Sequence, residues 1–354
     1  MENDLIISIL LLSIFTSIAI NGILRGIAKK NRILIDLPDR SRKFHKRPTP
    51  LTGGLGIFIA IMLSAQIYID LNGLNGSVPI FSKSIIYMSL ALLIFFIFDD
   101  LKHLRYIYRL IIQSLASLLI IYFTGIQIND FGNLLGFGGF ELGIFSVPIT
   151  IFCVVGVMNA FNMIDGINGL CAGSALLMFI FSGFYSGFIY DSLLILVIGS
   201  IMGFLVYNLR IIGKKRAVFL GDSGSNILGF MVAWVAIYCS QNVAYDVNAI
   251  TMVWFVAVPV LDCIGLIISR TLRGISWAAP GRDHIHHKLM IRYSPEFSFT
   301  IIMMFSALLS VLAIYLDMYF SESISFYAFT IFALSYYVIF HFYIKPKTNN
   351  NEAI

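Results

Sequence analysis

The sequence predicts an all-α, polytopic membrane protein of about 11 transmembrane helices. Composition is the first reason: of 354 residues, 58% are apolar and 12% charged, and the mean hydropathy of +0.88 lies well above that of soluble globular domains. The second is that the apolar residues are gathered into long runs with no linker or composition break between them, so the chain reads as one domain without an internal repeat. The third is charge sidedness: 23 of the 24 lysines and arginines fall in alternate connections, and only Lys83 lies opposite.

A bilayer crossing takes about 20 mostly apolar residues. Such runs lie near 5–27, 51–69, 84–98, 110–125, 144–161, 170–188, 193–209, 224–239, 250–269, 299–316 and 325–344. The first is too long for a signal-peptide core and follows Glu2 and Asp4 where a signal would be basic, so it is expected to stay in the mature chain. The strongly basic stretch DLPDRSRKFHKRPTPLTGG separates it from the second span. The third span ends at Asp99 and Asp100, and the fourth begins beyond Lys102, Arg105 and Arg109. Between the fourth and fifth, IQINDFGNLLGFGGFELG is turn-rich and suited to a short hairpin, with Gly136, Gly138 and Gly139 permitting tight turns. NAFNMIDGINGL joins spans five and six, FLGDSGS leads into span eight, and a long basic connection containing GRDHIHHKL follows span nine.

Eleven spans put the termini on opposite sides, and the basic connections choose which. The amino terminus is expected outside and the carboxyl terminus in the cytoplasm, with residues 1–344 forming the transmembrane domain and 345–354 a cytoplasmic tail. The net charge of +5 is a topology and lipid-headgroup signal and does not call for nucleic acid. Cys153, Cys171, Cys239 and Cys263 sit in apolar context without metal-ligand spacing and read as small core residues.

The unusual polar clusters all fall on the basic side. Asp99 and Asp100 repel each other at a membrane edge and need a cation or a basic partner, unless they are a solvated helix end. Asn159, Asn162 and Asp165 are spaced three apart, so a continuing helix makes them one stripe, either a helix–helix seam or a ligand surface. In FLGDSGS, Gly221 and Gly224 free the backbone, Ser223 or Ser225 can cap the next helix, its exposed amides attract phosphate, and Asp222 offers a hard oxygen ligand suited to magnesium. The alternative is an ordinary cap. His284, His286 and His287 stand beside Arg282, Asp283 and Lys288; with no cysteine or acidic set to complete a zinc site, a cationic grip on a diphosphate fits better. Lone His103 and His341 read as structural. Asp262, inside span nine, needs a polar cavity, a cation or a neighbouring polar side chain. The first basic loop contacts lipid, or binds a phosphate-bearing substrate through Arg42, Lys43 or His45.

Taken in order, these segments resemble the polyprenyl-phosphate N-acetylhexosamine-1-phosphate transferases, glycosyltransferase family 4, from Asp36 to Leu289. The resemblance rests on PDRSRKFHKRPTPLTGG, on the aspartate pair followed by Arg109 and Gln113, on NAFNMIDGINGL, on Asn208 before FLGDSGS, and on GRDHIHHKL. The HIHH form is similar to the WecA-type branch, which uses UDP-N-acetylglucosamine or close relatives. It implies about ten or eleven helices around a cytoplasmic cleft, in the bacterial inner membrane, and a requirement for Mg²⁺ or Mn²⁺.

The implied reaction transfers an N-acetylhexosamine-1-phosphate, foremost GlcNAc-1-phosphate, from a UDP-sugar to undecaprenyl phosphate and releases UMP, as the first membrane step of a cell-surface glycan. Asp99 would orient or deprotonate the lipid phosphate with Asp100 in support, and Asp165 would join them as a catalytic or metal-binding group. Asp222 is the first choice for metal ligand. Asn159, Asn162, Asn168, Asn208, Lys43, His45, Arg282, His284, His286 and His287 would bind substrate. The partners implied are a UDP-N-acetylhexosamine, undecaprenyl phosphate and membrane lipid, and a homodimer is compatible with all of this. Two departures stand out: many WecA-type members carry a second aspartate where this chain has Asn168, and Lys214, Lys215 and Arg216 extend the linker before FLGDSGS. The alternatives are another UDP-N-acetylhexosamine or UDP-MurNAc-pentapeptide as donor, a covalent phosphoryl-enzyme route, a polytopic ion or anion transporter, and a non-catalytic relative disabled at Asn168.

Overall fold

Among the described residues, the apolar runs of the sequence fall on helix in the structure, a computed structural model that describes residues 2–38, 47–72, 79–102, 104–245, 247–276, 281 and 283–340. In chain order these are α1 (Glu2–Asn31), α2 (Gly53–Asn72), α3 (Ile80–Lys102), α4 (Tyr106–Thr124), α5 (Ser146–Ile164), α6 (Leu170–Ser186), α7 (Ser192–Asn208), α8 (Gly221–Gln241), α9 (Ala249–Phe255), α10 (Ala257–Leu272), the short α11 (Ile285–Leu289), α12 (Pro295–Tyr319) and α13 (Glu322–Val338). Among the described residues, seven helices are long and apolar enough to cross a membrane, and α9 with α10 makes an eighth when counted as one bent span. The helices α6, α7 and α13 have 17 residues each. At 1.5 Å per residue they reach roughly 25 Å, short of the ~30 Å hydrocarbon core. The fold is therefore all-α apart from one two-residue β-ladder and an isolated bridge.

The ninth run is broken, and its sequence contains the cause. The axis turns by 80° between α9 and α10. Pro259 lies three residues into α10; it has no N–H to donate and its ring would clash with the Phe255 carbonyl in a continuous helix.

Helix α8 forms the centre and is buried along nearly its whole length, with α2, α3, α5 and α6 around it. Small residues permit the close approach, since helices in a membrane gain by contact where side chains are least bulky. Gly224 meets Gly54 of α2, and Gly229 lies over Met158 and Phe161 of α5. Phe96, Phe161, Phe179, Phe204, Phe230 and Trp234 fill the surrounding core.

The ends of the first basic loop are tied to the start of α8. β1 (Ile35–Asp36) pairs antiparallel with β2 (Thr49–Pro50). The Phe219 N–H then donates to the Pro50 carbonyl at 2.8 Å, and the Gly53 N–H to the Phe219 carbonyl at 2.9 Å. The 126–143 connection closes with an antiparallel bridge between Asp130 and Glu141, and Gly136 and Gly138 take positive φ as its turns require, while Gly139 does not.

Candidate functional site

Six separate chain segments meet at one end of the helical body and enclose a cavity of about 570 Å³. They are the base of the first loop, the end of α3, the α5–α6 turn, the α7 terminus with the approach to α8, the histidine helix α11 and the start of α12. Of the residues expected from sequence, Asp100, Asp165, Asn168, Asn208, Asp222 and His287 line it together. Asp36, Arg210, Phe219, Glu296 and Phe299 share the wall and were not singled out from sequence.

The start of α8 organises the carboxylates. Gly221 has φ +79, a left-handed conformation that needs no Cβ, and the helix begins there with Leu220 as its N-cap residue and no side-chain cap. Ser223 and Ser225, caps by residue type, lie inside the helix; the Ser225 hydroxyl donates back to the Gly221 carbonyl at 3.3 Å. The amides expected to meet phosphate are engaged by Asp100, whose carboxylate accepts from the Asp222 N–H at 3.2 Å and the Ser223 N–H at 3.4 Å. A carboxylate at a helix N-terminus gains from both the free N–H groups and the helix dipole. A residue from α3 thus fixes the direction in which Asp222 leaves α8.

Asp222 is held from two sides. One carboxylate oxygen takes the Arg109 guanidinium at 2.9 Å, and the other accepts from the Asn162 amide at 3.3 Å, which also donates to the Ser225 hydroxyl at 2.9 Å. Each oxygen keeps acceptor capacity toward the cavity. Asp99 stands behind this array: it is fully buried, its carboxylate pairs with the Arg109 Nε at 2.7 Å and accepts from the Leu104 N–H at 2.9 Å. It reaches the site through Arg109 and does not line the cavity. Asn159 is likewise one layer back, donating to Gln113, which donates to Asn226.

The helix α5 stops at Ile164, so Asp165 leaves the stripe of Asn159 and Asn162 and turns into the cavity. Desolvation, then the charges of Asp222 and Asp100, push its carboxyl up to about 8. Asn208 fixes the turn that carries Asn168: its side-chain oxygen accepts from the Gly169 N–H at 2.5 Å and its amide donates to the Val218 carbonyl at 2.9 Å.

The histidine segment is anchored by charge. The Asp262 carboxylate pairs with His284 Nδ1 at 2.8 Å and accepts from the Ile285 N–H at 2.8 Å, which answers the burial of an aspartate in α10. Asp283 accepts from Arg270 at 2.7 Å and from Arg273 at 3.1 Å. Burial alone would raise its pKa, but these arginines hold it down at about 2. The His284 and His286 rings stack at 5.3 Å between centroids, and His286 and His287 lie 4.2 Å apart. His286 is fully buried against Gly166, where any side chain would run into its ring. Burial, then the charges of His287 and His284, push it well below the usual histidine range. His287 is the member on the cavity wall. Lys43, His45 and Arg282 lie outside the described residues, as do Arg42, His103 and His341.

Among the described residues, no three His, Cys, Asp or Glu side chains converge into a closed metal cluster. What the site offers is a set of carboxylates sharing one cavity with amides, an imidazole, two aromatic rings and an arginine. That combination suits a hydroxyl-rich ligand with a flat heterocycle, and its carboxylates call for a cation before an anionic group can enter.

The sequence model of glycosyl transferase family 4 matches residues 82–240, which run from α3 through α8. An undecaprenyl-phosphate alpha-N-acetylglucosaminyl 1-phosphate transferase of Yersinia pestis is 30% identical over 297 residues, covering 81% of this chain and 79% of the relative. The protein of the same description in Escherichia coli K12 is 29% identical over 82% of this chain and 78% of its own length. A probable undecaprenyl-phosphate N-acetylglucosaminyl 1-phosphate transferase of Bacillus subtilis is 30% identical over 86% of this chain and 83% of its own. The chain belongs to glycosyl transferase family 4.

Proposed function

We propose that this protein transfers GlcNAc-1-phosphate from UDP-GlcNAc to undecaprenyl phosphate, releasing UMP, at a cleft on the cytoplasmic face of the bacterial plasma membrane. The observation that carries the reading is the cavity itself, because residues from six distant segments supply the groups a phosphoryl exchange needs on one surface. The description of the relatives supports the substrate pair. The charge asymmetry supports the orientation: five of the six cavity-lining segments belong to a basic connection or to a helix end beside one, the α5–α6 turn, which carries no Lys or Arg, being the exception. The eleven-crossing topology, with the amino terminus outside, belongs to this proposal.

An oxygen of the lipid phosphate attacks the β-phosphorus of the nucleotide sugar. The new O–P bond forms as the bond from that phosphorus to the bridging oxygen breaks, and the α-phosphate leaves as UMP. The difficulty is to bring two anions together in line. Asp100 and Arg109 fix the position of Asp222, Asn162 steadies its second oxygen, and Asp165 faces it from the α5–α6 turn. Asp99 acts through Arg109 as a positioning residue. The His287 imidazole and the amides of Asn168 and Asn208 lie where sugar hydroxyls and phosphate oxygens need donors and acceptors.

A divalent cation, Mg²⁺ or Mn²⁺, belongs to this reading, and the donors fit one. Magnesium is commonly bound through one or two carboxylates, with water and substrate phosphate completing its shell, so an open wall suits it better than a closed cage. Asp222 and Asp165 would hold it, and it would neutralise charge on the diphosphate.

The test is to incubate purified protein with undecaprenyl phosphate, Mg²⁺ and single UDP-sugars, following UMP. Release with UDP-GlcNAc supports the proposal, and no release with any N-acetylhexosamine donor removes it. Trapping a phosphoryl-enzyme would replace direct attack with a covalent route.

A further inference from the structure

We propose that Arg210 binds the diphosphate of the nucleotide sugar, an assignment that rests on the transferase reading above. The cavity wall carries five carboxylates, yet both substrates are anions. Among the described lining residues, Arg210 is the one fixed cation. None of the ion pairs among the described residues takes up its guanidinium.

The backbone gives an independent reason. Helix α7 ends with the Arg210 N–H donating to the Tyr207 carbonyl at 3.1 Å and the Ile211 N–H to the Val206 carbonyl at 3.1 Å. This pair of bonds closes a helix through one left-handed residue, a position where glycine is preferred because it lacks a Cβ. Arg210 occupies it at φ +62, one of three non-glycine residues with positive φ among those described. Glycine would make the same turn without strain, so what the arginine adds is its side chain. A strained residue on a cavity wall points to a use in the site.

The neighbours select the nucleotide over the lipid. Phe219, Phe299, Asn168 and Asn208 share the cavity with Arg210. Flat rings and amides hold a heterocycle and sugar hydroxyls, whereas a prenyl chain requires an apolar track.

The test compares wild type with Arg210→Gly, Arg210→Asn and Arg210→Lys in steady-state UMP release, titrating UDP-GlcNAc and undecaprenyl phosphate separately, with melting temperature and calorimetric UDP binding alongside. Arg210→Gly is expected to match or exceed the wild-type melting temperature, because it relieves the left-handed turn. Its KM for UDP-GlcNAc and its Kd for UDP should rise ~10- to 100-fold, the loss of a charge-assisted contact, with KM for the lipid within about twofold. Arg210→Lys should recover part of that affinity. Arg210→Asn, which also tolerates the left-handed turn, carries the same comparison if the glycine variant does not fold. Unchanged nucleotide affinity, a rise confined to the lipid KM, or an affinity loss that tracks a fall in melting temperature would each overturn the assignment. Failure of wild type to release UMP overturns the transferase reading instead, and UDP binding still separates the two.

Discussion

Replacing Gly229 with alanine inserts a methyl group between α8 and α5 at a place where the neighbours are backbone. An ideal Cβ there lies 2.8 Å from Met158 Cα, 3.1 Å from Phe161 Cβ and 3.3 Å from the Val157 carbonyl oxygen. Ordinary contacts begin near 3.4 Å, so the two helices must part by about 0.6 Å in a close-packed interior. No rotamer change relieves this, because Met158 Cα is main chain. Asp222 is two turns away on α8, and its bond from Asn162 already spans 3.3 Å. The added displacement carries that bond past the usual limit of about 3.5 Å and loosens one of the two grips on Asp222. Overpacking of this kind costs about 1–3 kcal/mol, and since 1 Å of misplacement costs about 100-fold in rate, kcat should fall about tenfold or more. Gly156, on the facing helix α5, is the control: it is exposed, and a Cβ added there meets nothing within 4 Å. Alanine there should add roughly 0.5–1 kcal/mol of stability and leave kcat alone. UMP release and thermal unfolding in detergent measure both variants. Wild-type kcat and melting temperature in Gly229→Ala, or equal damage from Gly156→Ala, would refute the packing argument.

Asp222→Asn keeps shape but removes charge; kcat should drop about 100- to 1,000-fold with a melting temperature near wild type, and the Mg²⁺ activation curve should move to higher concentration. Chelation with EDTA should abolish UMP release, and Mg²⁺ should restore it; full activity in EDTA would contradict the cation assignment. Asp262→Ala strands the buried His284 Nδ1 and the Ile285 N–H, and denaturant unfolding should report a loss of about 3 kcal/mol. Asp283 is depressed to about 2 from an ordinary 3.8, so the unfolded chain binds its proton first as pH falls, and the stabilisation, about 2 kcal/mol, is present above pH 4 and lost as pH falls toward 2. The melting-temperature difference between wild type and Asp283→Asn should therefore shrink over that window; a constant difference would contradict it.

The helices were legible because each apolar run is long, and the polar clusters because amides and carboxylates are rare among such runs. The break between α9 and α10 also had a local signal in Pro259, yet hydrophobicity alone joins the two halves, since both are apolar. The site's wiring was not legible. Asp100 engages α8 across 122 residues, and no local pattern tells that partnership from a phosphate at the same amides. Ser223 and Ser225 look like caps by residue type, but the left-handed Gly221 starts the helix earlier. The adjacent aspartates are equivalent in sequence; α3 turns Asp99 toward Arg109 and Leu104 and Asp100 toward the cavity. In sequence Arg210 is one more topology charge, because its left-handed backbone and cavity position emerge only once α7 is terminated in space.

The most direct measurement follows phosphorus from donor to product. Purified protein is given undecaprenyl phosphate, Mg²⁺ and UDP-GlcNAc labelled with ³²P at either the α- or the β-position, and lipid and aqueous phases are separated. Phosphoryl transfer puts the β-label in the lipid-linked sugar and the α-label in UMP. β-Label retained in aqueous UDP while the sugar enters the lipid would mean that the bond broken is at the sugar carbon, and would contradict phosphoryl transfer at this cavity.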